Sequence, residues 1–143
     1  MKKGFTLIEL LAVIIILAII ALIATPIILR VIDNANRGAA ARSVEGWIKS
    51  VDFARLEYIF EPENDNTPKF VDIADLVTFK GDEVMCQGDF NNEGVFTLSV
   101  GGVCYVGGDA DCESHSYVCR WNATDGAECP RDLTAPSPCP TEP

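Results

Sequence analysis

A single carboxylate, Glu9, stands at the edge of a block with no other ionisable group. From Leu10 to Leu29 twenty residues run without one charge. An ionisable group within a membrane helix costs about 2.5–3.5 kcal/mol at mid-bilayer on insertion scales, so it is presumed functional and needs a partner. A nearby cation is the partner from which an otherwise unpaired carboxylate in apolar surroundings gains most. Phe5 precedes Glu9 by four residues, which puts both on one helical face about 6 Å apart along the axis. Six cysteines form the second group with chemical potential: Cys86, Cys104, Cys112, Cys119, Cys129 and Cys139, all beyond residue 85. An even count confined to one side of an apolar segment points to disulfides formed in an oxidising compartment. The third group is Asp109, Asp111 and Glu113, alternate carboxylates of the kind that hold Ca²⁺ on a loop. A solvated turn accounts for them as well, and no metal is expected.

Weaker patterns dissolve on inspection. Asp89-Phe90-Asn91-Asn92-Glu93-Gly94 opens like an EF-hand loop, but Val100 stands where the bidentate glutamate belongs, so a hairpin turn is expected there. The cysteine spacings contain no Cys-x-x-Cys, which argues against zinc. His115, the one histidine, has no identifiable nucleophile partner, and a place on an alternating strand explains it. Asn122-Ala123-Thr124 matches a glycosylation sequon. No residues assemble a catalytic site, so neither an enzyme nor a cofactor is expected. The distal half is strongly acidic: residues 56–143 hold four Lys/Arg against seventeen Asp/Glu, whereas residues 1–55 hold seven against four. Such a surface is soluble but does not suit direct nucleic-acid binding, which requires clustered cations.

Helices and strands must position these groups. Twenty apolar residues at 1.5 Å each span about 30 Å, the hydrocarbon thickness of a bilayer. Pro26 lies inside that run; it lacks an N–H and crowds the carbonyl four residues back, which predicts a kink or local opening near Leu22. Beyond Leu29 the helix continues, because Ile28, Ile32, Ala35, Ala39, Val44, Ile48, Val51, Ala54 and Tyr58 recur at mostly three- and four-residue intervals. Asp33, Arg37, Arg42, Lys49 and Asp52 lie opposite them. Gly38 and Gly46 each cost about 1 kcal/mol of helix propensity against alanine, and Glu61-Pro62 is the stop. After a polar loop, Phe70–Phe79 reads either as a short helix at Ile73–Leu76 or as a strand. Strands are predicted at Val84–Phe90, Val95–Val100 and Val103–Gly107, with turns at Asn91–Gly94 and Gly101-Gly102. A fourth fits Ser114–Trp121. The fold class is therefore α+β: a long N-terminal helix on a small antiparallel sheet, with a disulfide-stapled C-terminal tail. A three-strand meander would place Cys86 and Cys104 on either side of the middle strand, about 9–10 Å apart. That exceeds disulfide reach, so these two are expected not to pair and at least one is expected to bond to the tail.

The first residues carry a resemblance. Gly4-Phe5-Thr6-Leu7-Ile8-Glu9, after the short basic leader Met1-Lys2-Lys3, resembles the class III signal of type IV prepilins and pseudopilins. The resemblance implies cleavage between Gly4 and Phe5 by a prepilin peptidase and N-methylation of Phe5. It further implies that Glu9 meets the amine of a neighbouring subunit during assembly, and that Pro26 is a helix-unwinding point. The implied organisation is a leader at 1–4, a transmembrane and filament-core helix at 5–29, an amphipathic continuation at 30–60 and an extracytoplasmic domain with a cysteine-rich tail at 61–143. The implied partners are identical or related pilin subunits, the peptidase, the pilus assembly machinery and the membrane. A single-pass precursor in the cytoplasmic membrane would then become an extracellular pilus. Six cysteines depart from the common two-cysteine pattern of pilins. The alternatives are a pseudopilin of a secretion or DNA-uptake machine, a tethered binding domain that never polymerises, and an uncut membrane anchor. A secretory signal peptide cut near Ala39-Ala40-Ala41 fits poorly, since that site lies ten residues or more past Leu29.

Overall fold

The structure is a computed structural model and describes residues 4–64, 67–81, 83–99, 102–107 and 115–133. Helix α1 runs from Leu7 to Phe60, 54 residues. The helix contributes to two compact units, residues 1–36 and 37–143. In the first unit the helix surface is apolar and none of its most hydrophobic window is buried, so it is long and apolar enough to cross a membrane. The helical assignment continues through Pro26. The Thr25 hydroxyl donates to the Ala21 carbonyl at 2.6 Å, a back-bond that slightly loosens a helix. The carbonyl of Leu22, four residues before Pro26, has no backbone N–H to receive.

In the second unit α1 ends at Phe60, one residue before Glu61-Pro62, as the proline rule requires. Its buried stripe is Ala40, Val44, Trp47, Ile48, Val51 and Ala54, with Tyr58 partly buried. Ala35 and Ala39 are exposed, so the packed stripe begins at Ala40 and includes Trp47, which the periodicity argument passed over. Arg37 is not simply solvated, since its guanidinium donates to the carbonyls of Cys129 and Pro130 at 3.3 and 3.1 Å. Gly46 is used for space: a Cβ there would press on the ring of Phe79 at 2.9 Å.

The segment after the loop is helical, as one of its two readings had it: α2 at Phe70–Ile73 and a 3₁₀ turn at Ala74–Leu76. Six short strands follow among the described residues: β1 Val84–Cys86, β2 Gly88–Phe90, β3 Phe96–Leu98, β4 Val103–Val106, β5 Tyr117–Asn122 and β6 Gly126–Glu128. All their pairings are antiparallel, in a four-stranded sheet ordered β1-β4-β5-β6 and a two-stranded ribbon β2-β3. This is the expected α+β class, but the meander is corrected. The predicted strand Val84–Phe90 breaks at Gln87, and its two halves join different sheets. Gly88 makes the break possible, because a Cβ there would collide with the Thr97 carbonyl and the Phe96 ring; such a glycine marks close backbone approach. With β2 paired to β3 (Gly88 opposite Leu98), β4 lies directly on β1 and sets Cys86 opposite Cys104. Their Cα atoms are 4.5 Å apart and they form a disulfide, contrary to the expectations that they could not pair and that at least one of them would bond to the tail. Cys119 pairs with Cys129. Cys112, Cys139 and the proline-rich tail from residue 134 lie outside the described residues.

Because Cys104 is also the register partner of Cys119, Cys86, Cys104 and Cys119 form one row across the sheet, and Cys129, just past β6, is bonded to Cys119. All four are buried in the core that the sheet shares with α1. Phe96 is the hub of that core at 1% exposure. Its ring meets Trp47, Phe70, Phe90 and Trp121 at centroid distances of 5.8, 5.3, 5.7 and 6.4 Å. On the sheet's other face Val103, Tyr105 and Val118 form a smaller cluster with Met85 and Leu133.

Candidate functional site: the N-terminal junction

Gly4, Phe5 and Thr6 precede the first turn of α1 and are exposed and non-helical. A Cβ at Gly4 would meet nothing within 4 Å, and Phe5 is 84% exposed. The Gly4–Phe5 peptide bond is therefore presented on an open, irregular stretch of the kind proteases cut. Thr6 is the residue before the helix. Its backbone N–H and its hydroxyl both donate to Glu9 Oε2, at 2.9 and 2.7 Å, and its hydroxyl oxygen accepts from the Glu9 N–H at 3.4 Å. This is a reciprocal capping box, in which cap and third helical residue satisfy each other's free groups. The spacing Thr-x-x-Glu before an apolar run is its sequence signature, a signal the sequence carries at Thr6 and Glu9.

The arrangement gives Glu9 a structural role at the start of α1. Within one chain its carboxylate closes the start of α1 and has two neutral donors. Neutral donors hold a carboxylate less strongly than a cation does. Phe5, which would carry a free amine after cleavage, is the residue next to Thr6. Residues 1–25 match the model of the prokaryotic N-terminal methylation motif. The N-terminus is thus a class III signal of the type IV pilin kind, and the apolar helix that follows supports a membrane-anchored precursor. The motif points to a structural pilin-like precursor rather than an enzyme, and implies processing by prepilin peptidase and handling by pilus assembly machinery. No curated protein sequence and no solved structure matches the chain.

The other candidates fall elsewhere. In the turn between β2 and β3, Asn91 Oδ1 accepts from the N–H groups of Glu93 and Val95, and Asp89 Oδ1 accepts from those of Phe70 and Phe90. Those oxygens hold a hairpin, closed by Gly94 at φ 76° beneath the Arg55 guanidinium, which lies 5.3 Å from the Phe90 ring. Asn122 organises the β5–β6 turn, accepting from Thr124 and Asp125 N–H and donating to the Asp125 carboxylate. His115 lies just before β5 and sets its ring edge-on against Tyr105 at 4.9 Å. Asp109, Asp111 and Glu113 lie outside the described residues; among the described residues no three His, Cys, Asp or Glu side chains gather as metal ligands do.

Proposed function

We propose that this chain is a prepilin, the precursor of a structural subunit of a type IV pilus. It is cut between Gly4 and Phe5, methylated at the new Phe5 amine and held in the cytoplasmic membrane by the apolar half of α1. The subunit then leaves the bilayer and packs that half among the same helices of identical or related subunits, in an extracellular filament. The observation that carries this reading is the methylation motif at residues 1–25, with its cleavage junction exposed ahead of α1 and its carboxylate one turn inside.

The physical steps follow from the residues. In the membrane, the Thr6 donors satisfy Glu9 and lower the cost of an ionisable group at the edge of the apolar core. After cleavage each subunit would carry one cation at Phe5 and one anion at Glu9. A neighbouring subunit displaced along the filament axis brings its Phe5 ammonium to this subunit's Glu9, and the charge-assisted bond replaces neutral ones. Pro26 supplies a place where the helix can yield during packing, since its ring already removes one backbone bond. Mass spectrometry of filaments sheared from the cell surface tests the reading. A subunit starting at methylated Phe5 is expected; one starting at Met1 or near Arg42 overturns it.

A further inference from the structure

Within the second unit α1 has two apolar faces. One is the buried stripe through Trp47. The other is Phe53, Leu56 and Phe60, exposed at 73%, 45% and 81% and spaced i, i+3, i+7 as a single stripe. Phe53 is rotated about 120° around the axis from Trp47, so it cannot fold back under its own helix. One turn before it on the same outward face is Lys49, also exposed.

The same unit contains a cavity of about 190 Å³ lined by Trp47, Phe70, Ala74, Val77, Val84 and, as its charged member, Glu83. An apolar cavity of roughly 150 Å³ takes up benzene, so this one is large enough for a phenyl ring. A knob and a matching hole on different faces of one molecule make a heterologous contact, which repeats head to tail rather than closing as a pair. Stripe-on-stripe packing, by contrast, would be two-fold and would stop at a dimer.

We infer that Phe53 of one subunit seats in the Trp47–Phe70–Val84 cavity of the next copy of this chain, with Lys49 brought against Glu83 at the rim. This contact rests on the subunit reading above and adds a specific joint between globular units to the packing of their apolar helices. One charge pair agrees with the fit: Lys49 lies one turn before the knob, among exposed Asp52 and Glu57, and the Glu83 carboxylate lines the hole, so this pair sets the register of the contact. The position of the stripe also explains why two aromatic rings are left in water on a helix whose opposite face is well packed, an arrangement that usually marks an interaction surface.

Photo-crosslinking of the full-length chain in its own cells decides the matter. With p-benzoylphenylalanine at position 53, irradiation is expected to link Phe53 to a peptide within residues 69–86 of a second copy. The variant Lys49→Glu is expected to lower that yield about three-fold, the size of a rim ion pair, and Lys49→Glu with Glu83→Lys to restore it. Both side chains are exposed, so the folded unit tolerates these changes. Links to residues 53–60 of a second copy, to lipid, to another protein, or no link at all overturn the contact, as does failure of the charge swap to restore yield. Subunits that crosslink as stated but never enter surface filaments refute the pilus reading and leave the contact standing. Filaments that form while Phe53 links elsewhere do the reverse.

Discussion

Removing the Cys86–Cys104 bridge tests both the corrected sheet topology and the source of this domain's stability. The bridge closes 18 residues and Cys119–Cys129 closes 10. On the chain-entropy relation these loops correspond to about 3.2 and about 2.7 kcal/mol respectively. A domain of this size holds about 5–15 kcal/mol in all, so either bridge is a large share of the total. Cys86→Ala with Cys104→Ala should therefore lower unfolding free energy by about 3 kcal/mol, and Cys119→Ala with Cys129→Ala by slightly less. The two losses should not add cleanly, because Cys104 and Cys119 are register partners and variants in contact couple. Trp47, at 9% exposure and packed against Phe70 and Phe96, is a built-in reporter. Its emission during urea titration of the full chain in detergent micelles gives the free-energy difference. A loss under about 1 kcal/mol for the first pair would refute the entropic reasoning. A non-reducing peptide map joining Cys86 to any residue but Cys104 would refute the β1–β4 pairing itself.

Three further outcomes are expected. Phe96→Ala should cost about 3–5 kcal/mol, because this ring touches four aromatic neighbours at 1% exposure; urea titration measures it, and an unchanged midpoint would show that Phe96 is not the hub. Glu9→Ala should leave the Trp47 signal and membrane insertion intact while surface filaments become scarce, since Glu9 lies outside the folded core; wild-type filament yield from this variant contradicts the assembly role. Burial pushes the Tyr105 hydroxyl above the ordinary tyrosine range, and that hydroxyl has no hydrogen-bond partner among the described residues. A folded-state value raised in this way contributes stability below the unfolded value of about 10, which is lost as pH rises through the folded value. Tyr105→Phe should therefore be neutral or stabilising near neutral pH, by up to about 1–3 kcal/mol, and should blunt alkaline unfolding. A clear loss of stability at pH 7 would show that the hydroxyl has a partner after all.

The local half of this protein was legible in the sequence because its signals are local. A charge-free run long enough for a bilayer, a six-residue signal around Gly4 and Phe5, a carboxylate four residues on, and a proline stop after Phe60 each act within a few residues of themselves. They need no tertiary partner to be recognised. Even the capping box of Thr6 and Glu9 was written there, as a three-residue spacing. The sheet was different. Strand propensity marked the neighbourhoods of β1 to β5, but propensity is silent on which strand lies beside which. Gly88 permits that choice, because without a Cβ it lets the Thr97 carbonyl and the Phe96 ring approach where the chain changes sheets. Once it does, Cys86 and Cys104 move from opposite sides of a strand to adjacent places, 4.5 Å apart. The same holds for Trp47, which packs against two rings contributed by distant segments, Phe70 and Phe96, and for Phe53, whose exposure appears only when the rest of the helix has been covered. Spacing along the chain specified the helix and its signal; the pairing of cysteines, the aromatic hub and the cavity beside Trp47 depend on contacts between segments far apart in sequence, and these only the folded chain decides.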